Sequence, residues 1–215
     1  HEPLSNHTNF RVGGPADYFV EVKTEEELVE AINEAKKLSA PYFVLGGGTN
    51  ILVGDKGYRG MVIKNKMDQI KIAGFRSSLQ KASDVGVKDV FVRSDSGVLL
   101  NRLVRYTLEQ ELSGLGNFLG QPGTVGGAMY INAHNMNQND FFGDHVGEAV
   151  ILGPDGALET VPQQYFKFGY DESILQKNGK TVVSVVVKLT KGTKDAVWEK
   201  ANAAQNHRHT TQPKG

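Results

Sequence analysis

The sequence predicts an α+β chain of two units that share one ligand. Three observations carry this. The chain opens on a strand–helix–strand run. It continues into a strand-rich stretch that ends in its longest β-branched run. Each part carries a glycine-rich loop.

In the first unit, Tyr18–Val22 has strand composition. Thr24 then opens a helix, and Glu27 three residues on completes a capping box. Glu25, Glu26 and Glu27 suit the positive first turn, and Lys36 and Lys37 suit the C-terminus. Leu28, Ala31, Ile32, Ala35 and Leu38 make one buried stripe, and Pro41 stops the helix. Tyr42–Leu45 reads as a buried strand, parallel to the first. Ile51–Lys64 reads as extended chain, turn and strand.

In the second unit, Val87–Val92 reads as a strand and Val98–Leu112 as a helix, with Leu100, Leu103, Val104, Thr107, Leu108 and Leu112 on one face. Ser113-Gly114 ends that helix. Met129–Ala133 fits helix or strand. Val146–Leu152 and Ala157–Val161 flank a Gly-Pro-Asp-Gly turn and read as a hairpin. Thr181–Leu189 is the strongest strand signal. Ala196–Ala204 reads as a short helix and His207–Gly215 as a mobile tail. The expected divisions are 1–68, 69–190 and a polar tail or linker remnant over 191–215. Gly74–Val87 fits no pattern, and no internal repeat is visible.

Composition narrows the function classes. The 215 residues carry 24 basic and 24 acidic side chains, so no overall positive field draws nucleic acid or anionic lipid. No nucleic-acid or membrane partner is expected. Cysteine is absent, which removes disulfides, thiol catalysis and thiolate-held metals. The N-terminus has no signal-peptide pattern, and the expected location is cytoplasmic. Glycine is in excess, at 25 residues.

Two loops concentrate it. Gly46-Gly47-Gly48-Thr49-Asn50-Ile51 follows a strand. Three consecutive glycines let backbone approach a ligand, and successive N–H groups suit a pyrophosphate. No Gly-Lys-Ser/Thr follows, and no helix follows, so neither a Walker loop nor a Rossmann fingerprint is present. The second loop is Pro122-Gly123-Thr124-Val125-Gly126-Gly127-Ala128. Two such loops suggest one extended ligand between them, and a dinucleotide fits. Other candidates are weaker. His207-x-His209 lacks a third ligand, so no metal is expected. His134 and His145 flank a polar loop. Trp198 reads as a packing anchor. Phe168-Gly169-Tyr170, followed by Asp171-Glu172-Ser173, could line a pocket.

Taken together, His7–Ala16, Val44–Val53, Leu112–Leu115 and Gly120–Ala128 resemble the flavin-dependent UDP-N-acetylenolpyruvoylglucosamine reductases of peptidoglycan synthesis (MurB), in order and spacing. The resemblance implies a two-subdomain FAD-binding fold of the vanillyl-alcohol-oxidase type, with FAD between the subdomains. It assigns the pyrophosphate to Gly46, Gly47, Gly48, Thr49 and Asn50, with Ile51 beside them as a further cofactor-binding residue. It places Pro122, Gly123, Thr124, Gly126, Gly127 and Ala128 against phosphate and flavin. Tyr170 and Ser173 become substrate-side candidates.

The implied reaction is NADPH-dependent. Reduced flavin passes hydride to the enolpyruvyl β-carbon of a UDP-sugar, a serine protonates the α-carbon, and an arginine and a glutamate stabilise the intermediate. Two departures stand out. The family's serine and glutamate lie in a third domain that begins about where Gln212-Pro213-Lys214-Gly215 stands, so no catalytic residue can be assigned here. The arginine position of Phe-Gly-Tyr-Arg-x-Ser holds Asp171. The expectation is therefore an FAD protein that is catalytically weak alone unless a separate chain supplies the missing domain. A non-catalytic flavin-binding module and another flavin oxidoreductase on the same fold are the alternatives.

Overall fold

A computed structural model describes residues 1–77 and 87–211. The unpatterned stretch before Val87 falls largely outside the described residues, as do the last four positions of the expected tail.

The first sheet has four strands in the order β1-β2-β4-β3: β1 (Glu2–Pro3), β2 (Pro15–Val22), β3 (Tyr42–Leu45) and β4 (Tyr58–Asn65). β2 and β3 run parallel, as the helical crossover requires, but they do not touch. β4 lies between them and pairs parallel with both.

The crossover helix α1 spans Glu25–Lys37. Thr24 Oγ1 accepts the Glu27 N–H at 3.2 Å, while the Glu27 carboxylate takes the N–H of Lys23 at 2.6 Å. The capping pair thus forms one residue wider than the expected box. Leu28, Ala31, Ile32 and Ala35 are buried, but Leu38 is not part of the stripe: it is the C-cap and lies exposed.

The second sheet runs β11-β10-β12-β6-β5, with the short β7 (Leu112–Ser113) also on β12. Its strands are β5 (Ile70–Ser77), β6 (Val87–Asp95), β10 (Val146–Leu152), β11 (Leu158–Pro162) and β12 (Thr181–Lys191), all antiparallel. β8 (His134–Asn135) and β9 (Asp140–Phe141) form a separate small hairpin. β12 is central, paired with β10 on one side and β6 on the other, and its valines at 182, 183, 185 and 187 are buried.

Helix α2 covers Leu100–Glu109, shorter than the apolar spacing suggested, since Leu112 already belongs to β7. Helix α3 is Val125–Tyr130 and α4 is Leu175–Asn178. The largest core joins β6, β12, α2 and α3 around Phe118, Phe142 and Phe166. A second core ties the two sheets together, because Leu152 and Val183 from the second sheet pack with Leu28, Ile32 and Ile63 from the first.

The short helix expected over Ala196–Ala204 is the longer α5, Lys194–Thr211, which takes in the start of the expected tail at His207. Val197, Ala201 and Ala204 form its buried stripe. Ala201 packs so closely on the 3₁₀ turn Leu115–Phe118 that a Cβ on Gly116 would meet its Cβ at 3.4 Å. Trp198 is partly buried against the main core. No helix of the described residues is long and apolar enough to cross a membrane.

Candidate functional site

The first loop leaves the C-terminal end of β3. Its glycines answer three separate contacts. A Cβ on Gly46 would stand 2.4 Å from Thr124 Oγ1, and one on Gly47 would stand 3.2 Å from Gly123 Cα. A Cβ on Gly48 would stand 2.0 Å from the His7 carbonyl oxygen. Only Gly48 of the three has a positive φ, at +70°. The glycines thus serve close packing as much as backbone freedom. The N-terminal segment closes the loop from outside, with the Asn9 N–H on the Gly48 carbonyl at 2.9 Å. From below, the Lys64 ammonium donates to the Gly46 carbonyl at 2.7 Å.

The second loop meets the first head on. A Cβ on Gly123, whose φ is +108°, would lie 3.2 Å from Thr49 Oγ1. Half of this segment is helical rather than loop. α3 begins at Val125, and Thr124 Oγ1 caps it by accepting the Gly127 N–H at 3.3 Å. Backbone bonds fix its position: Leu100 N–H to the Gly123 carbonyl (3.0 Å), Val125 N–H to Val98 (2.8 Å) and Gly126 N–H to Ser96 (2.8 Å). Ser96 is tied to the first unit through the Asn65 amide, which donates to its hydroxyl at 2.8 Å. The structure therefore brings Gly46–Asn50 and Gly123–Thr124 into contact, although more than seventy positions separate them in the chain. Ile51 is half-buried beside the first loop, Pro122 is exposed, and Ala128 is buried in α3.

This junction suits a diphosphate. Among the described residues, the backbone N–H groups of Gly47, Gly48, Thr49 and Asn50 have no protein acceptor. Successive unpaired N–H groups of this kind form a cradle suited to an anion. A Cβ on Gly47 would fill the narrow gap to Gly123, and one on Gly123 would crowd Thr49.

At the far end of α3 lies the Tyr170 turn. A six-residue helix is about 9 Å long, so this turn sits a short step from the second loop. Tyr170 is 62% exposed and lies over the His134 ring, with centroids 4.7 Å apart. His134 Nδ1 is buried, lacks a hydrogen-bond partner and stands 3.6 Å from Asp171 Oδ1. A cavity of about 460 Å³ opens beside it, lined by Asn132, Phe141, Lys167 and Tyr170 among others. Asn132, Lys167 and Asp171 all hold positive φ, at 47°, 46° and 53°. Such concentrated strain marks a backbone that its surroundings over-determine. Part of the bracing is plain: the Asn132 amide donates to the Gly169 carbonyl at 2.9 Å, and Ser173 Oγ donates to the Tyr130 carbonyl at 2.7 Å. Ser173 is 1% exposed, so its hydroxyl serves the fold, whereas Tyr170 faces outward.

His145 is not at this turn. It bonds Asp140 Oδ1 at 2.6 Å, and the Asn117 amide holds the other carboxylate oxygen at 2.5 Å. Burial raises the Asp140 pKa, but these two hydrogen bonds and the His145 charge outweigh it, so the carboxyl lies below its ordinary value. His207 and His209 lie on α5, and no group of three metal-binding side chains exists among the described residues. Sequence reasoning missed Lys64, Asn65 and Ser96. Each is an ordinary residue in or beside a strand, and only the fold places it at the junction.

Comparisons with known proteins agree with this geometry. A family model described as an FAD binding domain matches residues 16–161. A UDP-N-acetylenolpyruvoylglucosamine reductase of Clostridioides difficile is 34% identical over 212 residues, covering 99% of this chain and 65% of the relative. One of Clostridium botulinum is 32% identical over 210 residues, covering 98% of this chain and 64% of the relative. The chain thus spans a little under two thirds of these relatives. The solved reductase (MurB) of Thermus caldophilus superposes with a TM-score of 0.76 at 31% identity, over 99% of this chain and 69% of that one. The cholesterol oxidase of Brevibacterium sterolicum shares the fold at 14% identity and a TM-score of 0.59, over 89% of this chain and 37% of its own. The architecture is therefore that of the flavoproteins of the vanillyl-alcohol-oxidase type, and the chain belongs to the FAD-binding domain family, among the UDP-N-acetylenolpyruvoylglucosamine reductases.

Proposed function

We propose that this chain holds FAD at the junction of Gly46–Asn50 with Gly123–Ala128, as the flavin-binding part of an NADPH-dependent reductase of UDP-N-acetylglucosamine enolpyruvate. The observation that carries the reading is the contact of the two loops around unpaired backbone donors. The names of the relatives support the substrate class.

The chain's own groups have distinct tasks in this reading. The N–H groups of Gly47–Asn50 bind the diphosphate oxygens without a cationic side chain in the loop itself. Thr124 holds Gly123 and the start of α3 against the first loop, which sets the distance between diphosphate and ring. α3 then carries the frame to Tyr170, whose exposed ring can face the substrate. Bound FAD supplies a two-electron carrier between NADPH and the enolpyruvyl β-carbon.

A second reading, a flavin-binding module without reductase chemistry, is favoured by one observation. At the position where the resemblance places an arginine, Asp171 presents a half-exposed carboxylate, which repels a developing oxyanion. Losing one preorganised stabiliser costs roughly 3–4 kcal/mol in the transition state. The two readings part in one assay. The complete gene product, loaded with FAD, is mixed anaerobically with NADPH and then with the enolpyruvyl substrate. Bleaching of the flavin by NADPH followed by re-oxidation on adding substrate supports the reductase. Flavin that binds but never bleaches supports the module.

A further inference from the structure

Lys64 is a half-buried cation that has no carboxylate of its own among the described residues. It sits near the end of β4, in register with Glu21 on β2 and Leu45 on β3. Glu21 is the acid that could neutralise it, but Glu21 is paired with Lys66 at 2.7 Å. Burial and the Lys66 charge push the Lys64 ammonium below the ordinary lysine range, and Glu21 offsets only part of this. An ammonium has three donors, and the one bond found uses a single donor, on the Gly46 carbonyl at 2.7 Å. Keeping a charge partly out of water without a counter-ion is unfavourable for the fold alone. A counter-charge from outside the protein removes that conflict.

We infer that Lys64 is the positioning cation of the flavin diphosphate site: it turns the Gly46 carbonyl inward, so that the following N–H groups face the ligand, and it lends its positive charge to the diphosphate. This rests on the reading that FAD binds at this junction. The loop contains no lysine or arginine, so β4 supplies the charge from beneath. Gly46 also touches Thr124, so the same hydrogen bond holds the point where the two loops meet.

Two variants of the full chain test it, each titrated with FAD by flavin fluorescence and melted without flavin. Lys64→Met is expected to raise the FAD dissociation constant about tenfold, in line with loss of one charge-assisted contact. Its flavin-free melting temperature stays within about 2 °C of the unaltered chain, because a desolvated charge is removed along with one hydrogen bond. Lys64→Arg, which keeps charge and donors, restores affinity to within about threefold. An unchanged dissociation constant in Lys64→Met overturns the proposal, as does an equal loss in Lys64→Arg. So does a loss of affinity matched by a collapse of the flavin-free protein, since Lys64 would then be structural only. If the unaltered chain binds no FAD, the site reading itself fails and takes this proposal with it.

Discussion

Gly48→Ala is expected to lower the melting temperature by roughly 6–12 °C and to remove measurable FAD binding. The glycine holds φ +70°, and a Cβ there would stand 2.0 Å from the His7 carbonyl oxygen. The left-handed conformation costs a non-glycine residue about 1–2 kcal/mol. Forcing a methyl against fixed backbone adds roughly 1–3 kcal/mol, because no flexible side-chain end can move aside. A total of about 3 kcal/mol corresponds to that drop for a chain of this size, at roughly 2–4 °C per kcal/mol. The functional effect follows from relief of the clash. Either the N-terminal segment lifts, breaking the Asn9–Gly48 bond, or the loop rotates and its N–H groups leave the ligand. Gly54→Ala is the matched control. Nothing lies within 4 Å of its Cβ, so stability and FAD affinity stay close to those of the unaltered chain. Equal effects at both positions would mean that loop stiffness in general, not this contact, governs binding.

Asp171→Arg is expected to raise turnover of the enolpyruvyl substrate by the complete gene product by about 10²-fold or more, the worth of one preorganised stabiliser of a developing oxyanion. Asp171 already occupies a left-handed conformation as a non-glycine residue, so the arginine inherits a backbone that the turn enforces. The turn is held by Asn132, Ser173 and Gln176, none of which bonds the Asp171 carboxylate. The exchange therefore removes only the 3.6 Å approach to His134. The gain should fall on kcat more than on KM, since the cation acts on charge that develops in the transition state. Unchanged turnover, with FAD bound and reducible, would mean that the oxyanion does not form beside this turn.

Legibility from sequence differed by element for physical reasons. α1 was readable because its cap, acidic first turn and apolar stripe all point the same way; only Leu38, pushed out of the stripe by the helix end, departs. β12 was readable because nine of its eleven residues form an unbroken strand signal that only burial on both faces explains. The insertion of β4 between β2 and β3 was not readable, since strand order follows from long-range pairing that local patterns do not record. α5 was read too short, as Ala196–Ala204 with a tail from His207, because its buried stripe is one valine and two alanines inside an asparagine-, glutamine- and histidine-rich segment. At the site, the glycine loops were visible as composition, but their partners were not. That Gly46 faces Thr124 and Gly47 faces Gly123, and that Lys64 lies below, depends on the fold alone. Ser173 matched a motif, yet its hydroxyl is spent on the Tyr130 carbonyl.

In the proposed function the two loops grip the diphosphate of one FAD. Equilibrium titration of the unaltered chain with FAD, repeated with ADP as competitor and with riboflavin as a ligand lacking the diphosphate, tests it most directly. Expected are one FAD per chain, displacement by ADP, and riboflavin binding at least about tenfold weaker, the share of charge-assisted diphosphate contacts. Riboflavin binding as tight as FAD, or FAD binding that ADP does not touch, would contradict it.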